Sequence, residues 1–481
     1  MMTGFFDLNE VKTTSTFYMC PNCGLFRKCK SPKMQPTGQG KLKVLIIAEA
    51  PGEDEDSRGK QLVGKVGQYL RGLLSERGFD LDRDFYKTNA LICRPPENRE
   101  PYAKELTYCR PNMDKAIRDY KPKFIWLFGK SAIEGYFGNR FSEYAPSVWR
   151  GLCIPDIENN AWVIPMYHPS YALRNEKDSL TTSQFKRDLD FAIDCVKTRG
   201  PVNRLITPDI TNIVARTNTD AICDALQKLI DSPPEFLAFD YETTGLKPFR
   251  KGHKIVSVSY CFEDSTAYSF PLQHSKWRVS GVDRKRVEDL WKKVLQNKSK
   301  KIAHNLKFED VWTRAILKTD IRNWYWCTQT TAHIVDNRPH FTGLKYQSFI
   351  HWGVPDYAKE ISPFLESMDE RGFNRIELFD MDKLLFYGGA DSLLTNWLYE
   401  VQHSEEIDSF LTQGVDLFTD GVLALADIQM NGINADAEYY RKAHIELEER
   451  IKKREAELLE FKECQRFKEV KGYLPNLSSS T

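Results

Sequence analysis

The segment Phe236–Leu246, FLAFDYETTGL, constrains the fold of this chain more than any other. Its first four residues form an apolar run directly after Pro233-Pro234, the pattern of a buried strand leaving a turn. Asp240 and Glu242 then fall two apart, which on an extended backbone puts both carboxylates on one face. Two carboxylates about 4 Å apart repel by about 4 kcal/mol at an effective dielectric of about 20. A hard divalent cation between them relieves that repulsion. Acidic residues at an ordinary solvated strand end are the competing reading.

Two later segments add acids in a pattern. Ala303–Asp310, AHNLKFED, follows a short apolar segment and turns polar and then acidic, as at a helix start. Tyr387–Asp391, YGGAD, sets a phenol and a carboxylate four apart, on one face if helical. Together DYETTGL, AHNLKFED and YGGAD resemble the three exonuclease motifs of the proofreading domain of family A DNA polymerases, the polymerase I type of bacteria and phages. That resemblance implies a ribonuclease H-like mixed sheet and a 3′→5′ exonuclease. It implies Asp240, Glu242 and Asp391 as ligands of two divalent ions (Mg2+ or Mn2+), Tyr387 as the residue orienting the attacking water, and Asn305 as a substrate contact. The family has Asp at the fifth position of the Asn-Leu-Lys motif; here Glu309 stands there, with Asp310 beside it. The fourth metal-ligand role is carried to Glu309, whose longer arm changes the metal spacing, with Asp310 as the alternative.

At 481 residues the chain has room for two to four domains. Lys and Arg number 68 against 67 Asp and Glu, so any contact with nucleic acid comes from local patches and not from a wholesale basic surface. No apolar run reaches the roughly 18 residues of a membrane span, and MMTGFFDLNEVKTT lacks the charged start, apolar core and cleavage site of a secretory signal. The expected compartment is a cytoplasm, with no membrane partner. Eleven cysteines, an odd number over a long chain, do not form a disulfide scaffold.

Cys20 and Cys23 form a CxxC pair, with Cys29 close by and Cys93 and Cys109 far downstream. CxxC plus two more thiols suits zinc or an iron–sulfur cluster, and spacing alone does not choose between them. Scattered buried cysteines are the plain reading. Around them, strand-like runs at Lys43–Ala48, Tyr86–Ile92, Lys123–Phe128 and Ala161–Met166 alternate with helical patterns at Val66–Glu76 and around Met113–Asp119. Such alternation predicts a parallel sheet with helices on both faces and functional loops at the carboxyl ends of the strands.

EAPGEDED, GKQLVGKVG, TNALICRPPENR, the cysteines and HPSYALR resemble the family 4 uracil-DNA glycosylases. The resemblance implies a three-layer αβα domain with a structural [4Fe-4S] cluster, in preference to zinc, on Cys20, Cys23, Cys93 and Cys109, with Cys29 outside the set. It implies Glu49 as the water-activating or cation-stabilising residue, Asn89 as the reader of the uracil edge, and His168 as the donor to the departing base. His168 as a structural cap before Pro169 is the other reading. Two positions depart from the family: Leu62 stands where an aromatic stacks on uracil, and Ala48 replaces a glycine before Glu49. Losing the stacking ring costs about 1–3 kcal/mol. The rival role for this domain is holding DNA or contacting another protein.

The stretch from Val196 to Pro208 reads as a linker. Asn212–Ala215 is expected as an edge strand, Thr219-Asp220 as the cap of a helix Ala221–Ile230, Lys254–Tyr260 and Thr266–Pro271 as a hairpin, and Met381–Gln402 as a helix. Trp324–Trp326 is expected as packing. A helix running into Asn431-Gly432, followed by one long charged helix over Asp436–Phe467 with a stripe of Leu447, Ile451, Leu458 and Phe461, resembles the opening of a family A polymerase thumb. The terminal PNLSSST resembles the start of the segment that follows it in complete polymerases, and no palm or finger motif is present.

The expected organisation is 1–200 glycosylase-like, 209–405 exonuclease and 406–481 an incomplete helical thumb. The expected function is the proofreading portion of a replication polymerase of phage type, acting on single-stranded or frayed 3′ ends in an infected bacterial host. A separately encoded palm-and-fingers polypeptide is the expected partner if the chain is naturally split. The alternatives are a uracil-excising repair enzyme and a non-catalytic DNA-binding or assembly subunit.

Overall fold

The structure, a computed structural model, describes residues 20–141, 143–175, 178–367, 372–403 and 409–473. The opening MMTGFFDLNEVKTT and the PNLSSST end lie outside the described residues. The chain divides into two compact units, Met1–Ala426 and Asp427–Thr481.

The first sheet has five strands, β1 (Val44–Ala48), β2 (Phe85–Asn89), β3 (Phe124–Phe128), β4 (Ile154–Asp156) and β5 (Ala161–Met166), in the order β2-β1-β3-β5-β4. All pairings are parallel except that of β4 with β5. VLIIA, FIWLF and AWVIPM are buried at every position, as strands covered on both faces must be. Alternation then sorts their side chains. Leu45 and Ile47 pack with Leu106, Met113 and Ile133 from the helices Ala103–Tyr120 and Lys130–Phe137. Val44 and Ile46 pack with Leu70, Phe185 and Leu189 from Lys65–Ser75 and Ser179–Thr198 on the other face.

Two boundaries differ from expectation. β2 stops at Asn89 instead of Ile92: the Ala90 and Leu91 N–H groups still bond Ala48 O and Glu49 O past the strand, and the Ile92 N–H donates to Cys109 Sγ at 3.4 Å. The helix expected around Met113 starts at Ala103 and continues through Pro111. Proline removes one backbone donor, but Leu106, Cys109, Met113 and Ile117 on both sides of it are buried, and that packing outweighs the loss.

The second sheet has six strands, β6 (Ile213–Ala215), β7 (Phe236–Thr243), β8 (Ile255–Cys261), β9 (Ala267–Pro271), β10 (Lys300–Ala303) and β11 (Trp324–Cys327), in the order β11-β10-β7-β8-β9-β6. β7, β8 and β9 run antiparallel, while β10 joins β7 in parallel and β11 joins β10 in parallel. This is the mixed, ribonuclease H-like sheet. Helix Met381–His403 crosses it against β7, β8 and β9. The approach is close at β6, where any Cβ at Gly389 would collide with Ile213. Helix Thr219–Asp231 is capped by Asn218, whose side chain accepts from the Ala221 N–H at 3.0 Å, and not by Thr219-Asp220.

The first sheet's core extends to the segment around helix Leu344–Trp352. Phe341, Tyr346, Phe349 and Ile350 join the cluster of Phe137, Val148, Trp149 and Ile154. Arg338 donates to Val148 O at 3.0 Å and to Arg150 O at 2.6 Å. Gly353, at φ +67, lies so near Pro155 O that no side chain fits there. The linker is accordingly pinned. Helix Ser179–Thr198 runs past Val196, Trp162 Nε1 donates to Gly200 O, and Val202 is buried.

In the second unit the expected single helix is two, Ala437–Leu459 and Lys462–Lys471. Phe461 takes an extended conformation between them, and Gln465 Nε2 donates to Leu459 O at the break. Leu447, Ile451, Leu458 and Phe461 are all exposed within it. Among the described residues no helix is long and apolar enough to cross a membrane.

Candidate active sites

β7 carries Asp240 and Glu242 on one face, and the crossing helix brings Tyr387 and Asp391 over it one turn apart. Carboxylate oxygens of Asp240, Glu242 and Asp391 all lie within 4.8 Å of one another. Such crowding in a buried place disfavours ionisation. Burial, then the charge of Asp391, pushes Asp240 up to about 8. Burial, then Asp240 and Asp391, holds Glu242 well above the carboxylate range. Two groups offset the charge. Lys345 Nζ sits 2.6 Å from Asp391 Oδ2, and the Tyr357 hydroxyl donates to Asp391 Oδ1.

Glu309 and Asp310 face different partners. Glu309, on helix Leu306–Trp312, is 1% exposed; its Oε2 has no hydrogen-bond partner, and burial followed by Asp240 raises its pKa. Asp310 accepts from Trp324 Nε1 at 3.0 Å and from Arg314 at 3.2 Å. Asn305 opens that helix at φ +76, a left-handed conformation that asparagine tolerates better than most residues. Hard carboxylate oxygens, mutual repulsion and an orphaned buried Oε2 together fit divalent cations.

The first sheet gathers a second set. Glu49 follows β1, Asn89 ends β2 opposite Ala48, and His168 follows β5, all at the carboxyl edge of parallel strands. Ser131 donates to Glu49 Oε2 at 2.8 Å, while burial raises the Glu49 pKa. Asn89 is buried with Nδ2 unpartnered. His168 Nδ1 accepts from the Ser170 N–H, so the residue does cap its helix. In the neutral ring this leaves the proton on Nε2, a donor, and burial holds the His168 pKa down at about 4. Leu62 is buried in the core at φ +53.

Cys20 and Cys23 lie on one short helix, Cys93 beyond β2 and Cys109 on helix Ala103–Tyr120, and all are free thiols. Burial pushes Cys93 up to about 12, with Cys29, Cys109 and Cys20 adding to it, and pushes Cys109 up to about 11, with Cys23 and Cys20 adding. Backbone N–H groups of Lys33 and Ile92 donate to Cys93 Sγ and Cys109 Sγ at 3.3 and 3.4 Å. Thiols that repel as anions and already receive N–H donors fit a metal group that stabilises thiolate. Cys29 sits against Cys93, and its thiol donates to Leu25 O and Arg94 O.

Residues 35–190 match the uracil DNA glycosylase superfamily. A type-4 uracil-DNA glycosylase of Sulfurisphaera tokodaii is 32% identical over 179 residues, 36% of this chain and 80% of that protein. Through these residues the chain belongs to the uracil-DNA glycosylase superfamily. A DNA polymerase of Bacillus phage SP01 is 25% identical over 465 residues, 90% of this chain and 48% of that protein, so the chain spans about half of that polymerase's length. Among solved structures, Brucella melitensis NrnC aligns with 47% of this chain and 95% of its own at 17% identity and a TM-score of 0.31. The alignment to the phage polymerase runs through both sheets, and the chain is a glycosylase-like domain followed by a mixed-sheet domain that also aligns with that polymerase.

Several site residues escape sequence reasoning. Lys345 and Tyr357 reach Asp391 across 46 and 34 positions with no motif around either. Arg174, whose charge acts on both Glu49 and His168, lay inside HPSYALR and was legible as part of that motif. His304, beside Asn305, is held neutral by burial at a pKa of about 3 and keeps Nε2 unpartnered.

Proposed function

We propose that this chain is the metal-dependent 3′→5′ proofreading exonuclease portion of a DNA replication polymerase. In this reading 1–200 is the glycosylase-like domain, 209–405 the exonuclease and 406–481 the helical start of a polymerase module. The observation that carries it is the convergence of Asp240, Glu242 and Asp391 within 4.8 Å; Glu309 stands outside that trio, with Oε2 unpartnered and its carboxyl under the charge of Asp240. These four carboxylates would hold two divalent ions, which when bound supply a water of lowered pKa and charge neutralisation at the leaving oxygen. Tyr387, fixed one helical turn before Asp391, orients the attacking water through its hydroxyl. Asn305 contacts the strand that enters. The substrate is a single-stranded or frayed DNA 3′ end.

The experiment is degradation of a 3′-labelled oligonucleotide with Mg2+. Asp240→Ala/Glu242→Ala is expected to abolish mononucleotide release while leaving the fold intact. Full activity in that variant, free of contaminating nuclease, defeats the reading.

A second reading, excision of uracil by the first domain, is favoured by the buried Asn89 with Nδ2 unpartnered at the same strand edge as Glu49 and His168. In that domain Cys20, Cys23, Cys93 and Cys109 would hold a [4Fe-4S] cluster, which when bound ties together segments distant in sequence. The exposed stripe of Leu447, Ile451 and Leu458 would serve a separately encoded palm-and-fingers polypeptide.

A further inference from the structure

A cleft of about 310 Å³ opens where the glycosylase-like domain meets helix Leu344–Trp352. Arg140, Phe141 and Trp149 line one side, and Lys345, Tyr346 and Phe349 the other. We propose that this cleft binds one unpaired deoxynucleotide of the strand being degraded, so that the glycosylase-like domain completes the exonuclease's substrate site. The inference rests on the exonuclease reading of the acidic cluster.

Three observations converge on that occupant. The first is continuity. Lys345 lines the cleft and also bonds Asp391 at 2.6 Å, so the cleft adjoins the acids that would meet the scissile phosphate. The second is chemistry. The interior is aromatic, with Phe141 at 4.7 Å from Trp149 and 5.0 Å from Phe349; Arg140 stands on one side and Lys345, ion-paired with Asp391, on the other. Arg140, exposed, reaches over Phe349 with its guanidinium 5.1 Å from the ring centre. An apolar floor under cations is what a base and its phosphate require. Two acids also stand on the lining, each held by a backbone N–H of its own loop, so the phosphate contact falls to Arg140. Glu143 accepts from the Ala145 N–H at 2.6 Å and Asp356 from the Ala358 N–H at 3.0 Å. The third is size. The volume sits at the small end of the roughly 300–1,000 Å³ of ligand sites, enough for a nucleotide and too little for a duplex.

The test is equilibrium binding of fluorescein-labelled (dT)4 to the full chain in EDTA, so that nothing is degraded. Arg140→Glu is expected to weaken binding by about tenfold, and Arg140→Lys to retain most of it. With Arg140→Gln, the slope of log affinity against log salt is expected to fall by about 0.7, as for one lost phosphate contact on a single strand. A folding defect does not reproduce that change in slope. An unaltered affinity and salt slope in both Arg140→Glu and Arg140→Gln overturns the proposal. The measurement reads the cleft independently of catalysis: if Asp240→Ala/Glu242→Ala still degrades DNA, the exonuclease assignment falls, while the Arg140 variants still decide whether the cleft binds a strand.

Discussion

Lys345 Nζ lies 2.6 Å from Asp391 Oδ2, placing an ammonium inside a cluster of carboxylates. Its charge acts against the repulsion there, lowering the pKa of both Asp240 and Glu242 against the larger effect of burial. The same helix sends Tyr346 and Phe349, adjacent in sequence to and one turn from Lys345, into the core shared with Trp149. The counter-charge of the acid cluster and the domain interface are therefore built on one element.

The cluster gives the protein a pH-dependent stability. Asp240 keeps its proton up to about 8 in the folded chain, against an ordinary 3.8. Between those values the folded state binds more protons than the unfolded state, so stability falls as pH rises. The Tm of metal-free protein should drop from about pH 4 to pH 8, and Mg2+ should restore it at pH 8. Lys345→Met should steepen the drop. A Tm insensitive to both pH and Mg2+ contradicts this account.

Glu309 and Asp310 should separate cleanly. Glu309→Ala is expected to abolish exonuclease activity with little loss of stability, because its Oε2 has no partner to lose. Asp310→Asn should keep activity but cost about 1–3 kcal/mol in urea denaturation, since it weakens the bonds to Trp324 and Arg314. Glu309→Asp measures how far the longer arm sets the rate. The reverse pattern, an inactive Asp310 variant beside an active Glu309 variant, exchanges their roles.

Anaerobically purified protein should be brown and carry about four iron and four acid-labile sulfides per chain. Cys93→Ser or Cys109→Ser should bleach it and lower the Tm of the first domain, whereas Cys29→Ser should leave the colour. Stoichiometric zinc without iron identifies the other metal.

Uracil release should be slow. With Leu62 in place of a stacking ring, the rate penalty is about five- to 150-fold. Single-turnover assays with excess protein on uracil-containing single-stranded DNA should detect weak excision, improved by Leu62→Phe and lost in His168→Ala. Because His168 stays neutral above about pH 4, the rate should show no imidazole titration between pH 5 and 8. Abasic sites absent from both wild type and Leu62→Phe after prolonged incubation assign the domain to holding DNA.

Local pattern was enough for the elements that carry the sites. VLIIA, FIWLF and AWVIPM are apolar throughout because both faces are covered, and two-residue alternation placed Asp240 and Glu242 on one side of β7. The four-residue spacing of Tyr387 and Asp391 placed both on one helix face. These relations depend only on backbone periodicity, which a sequence contains. The choice between Glu309 and Asp310 is different, since it turns on which of two adjacent acids meets Trp324 and Arg314 and which is left against Asp240. The partnership of Lys345 with Asp391, the antiparallel β4 and the aromatic core joining Trp149 to Phe349 are likewise contacts between segments distant along the chain. No local pattern encodes them, because they follow from which faces remain uncovered once the sheets have formed.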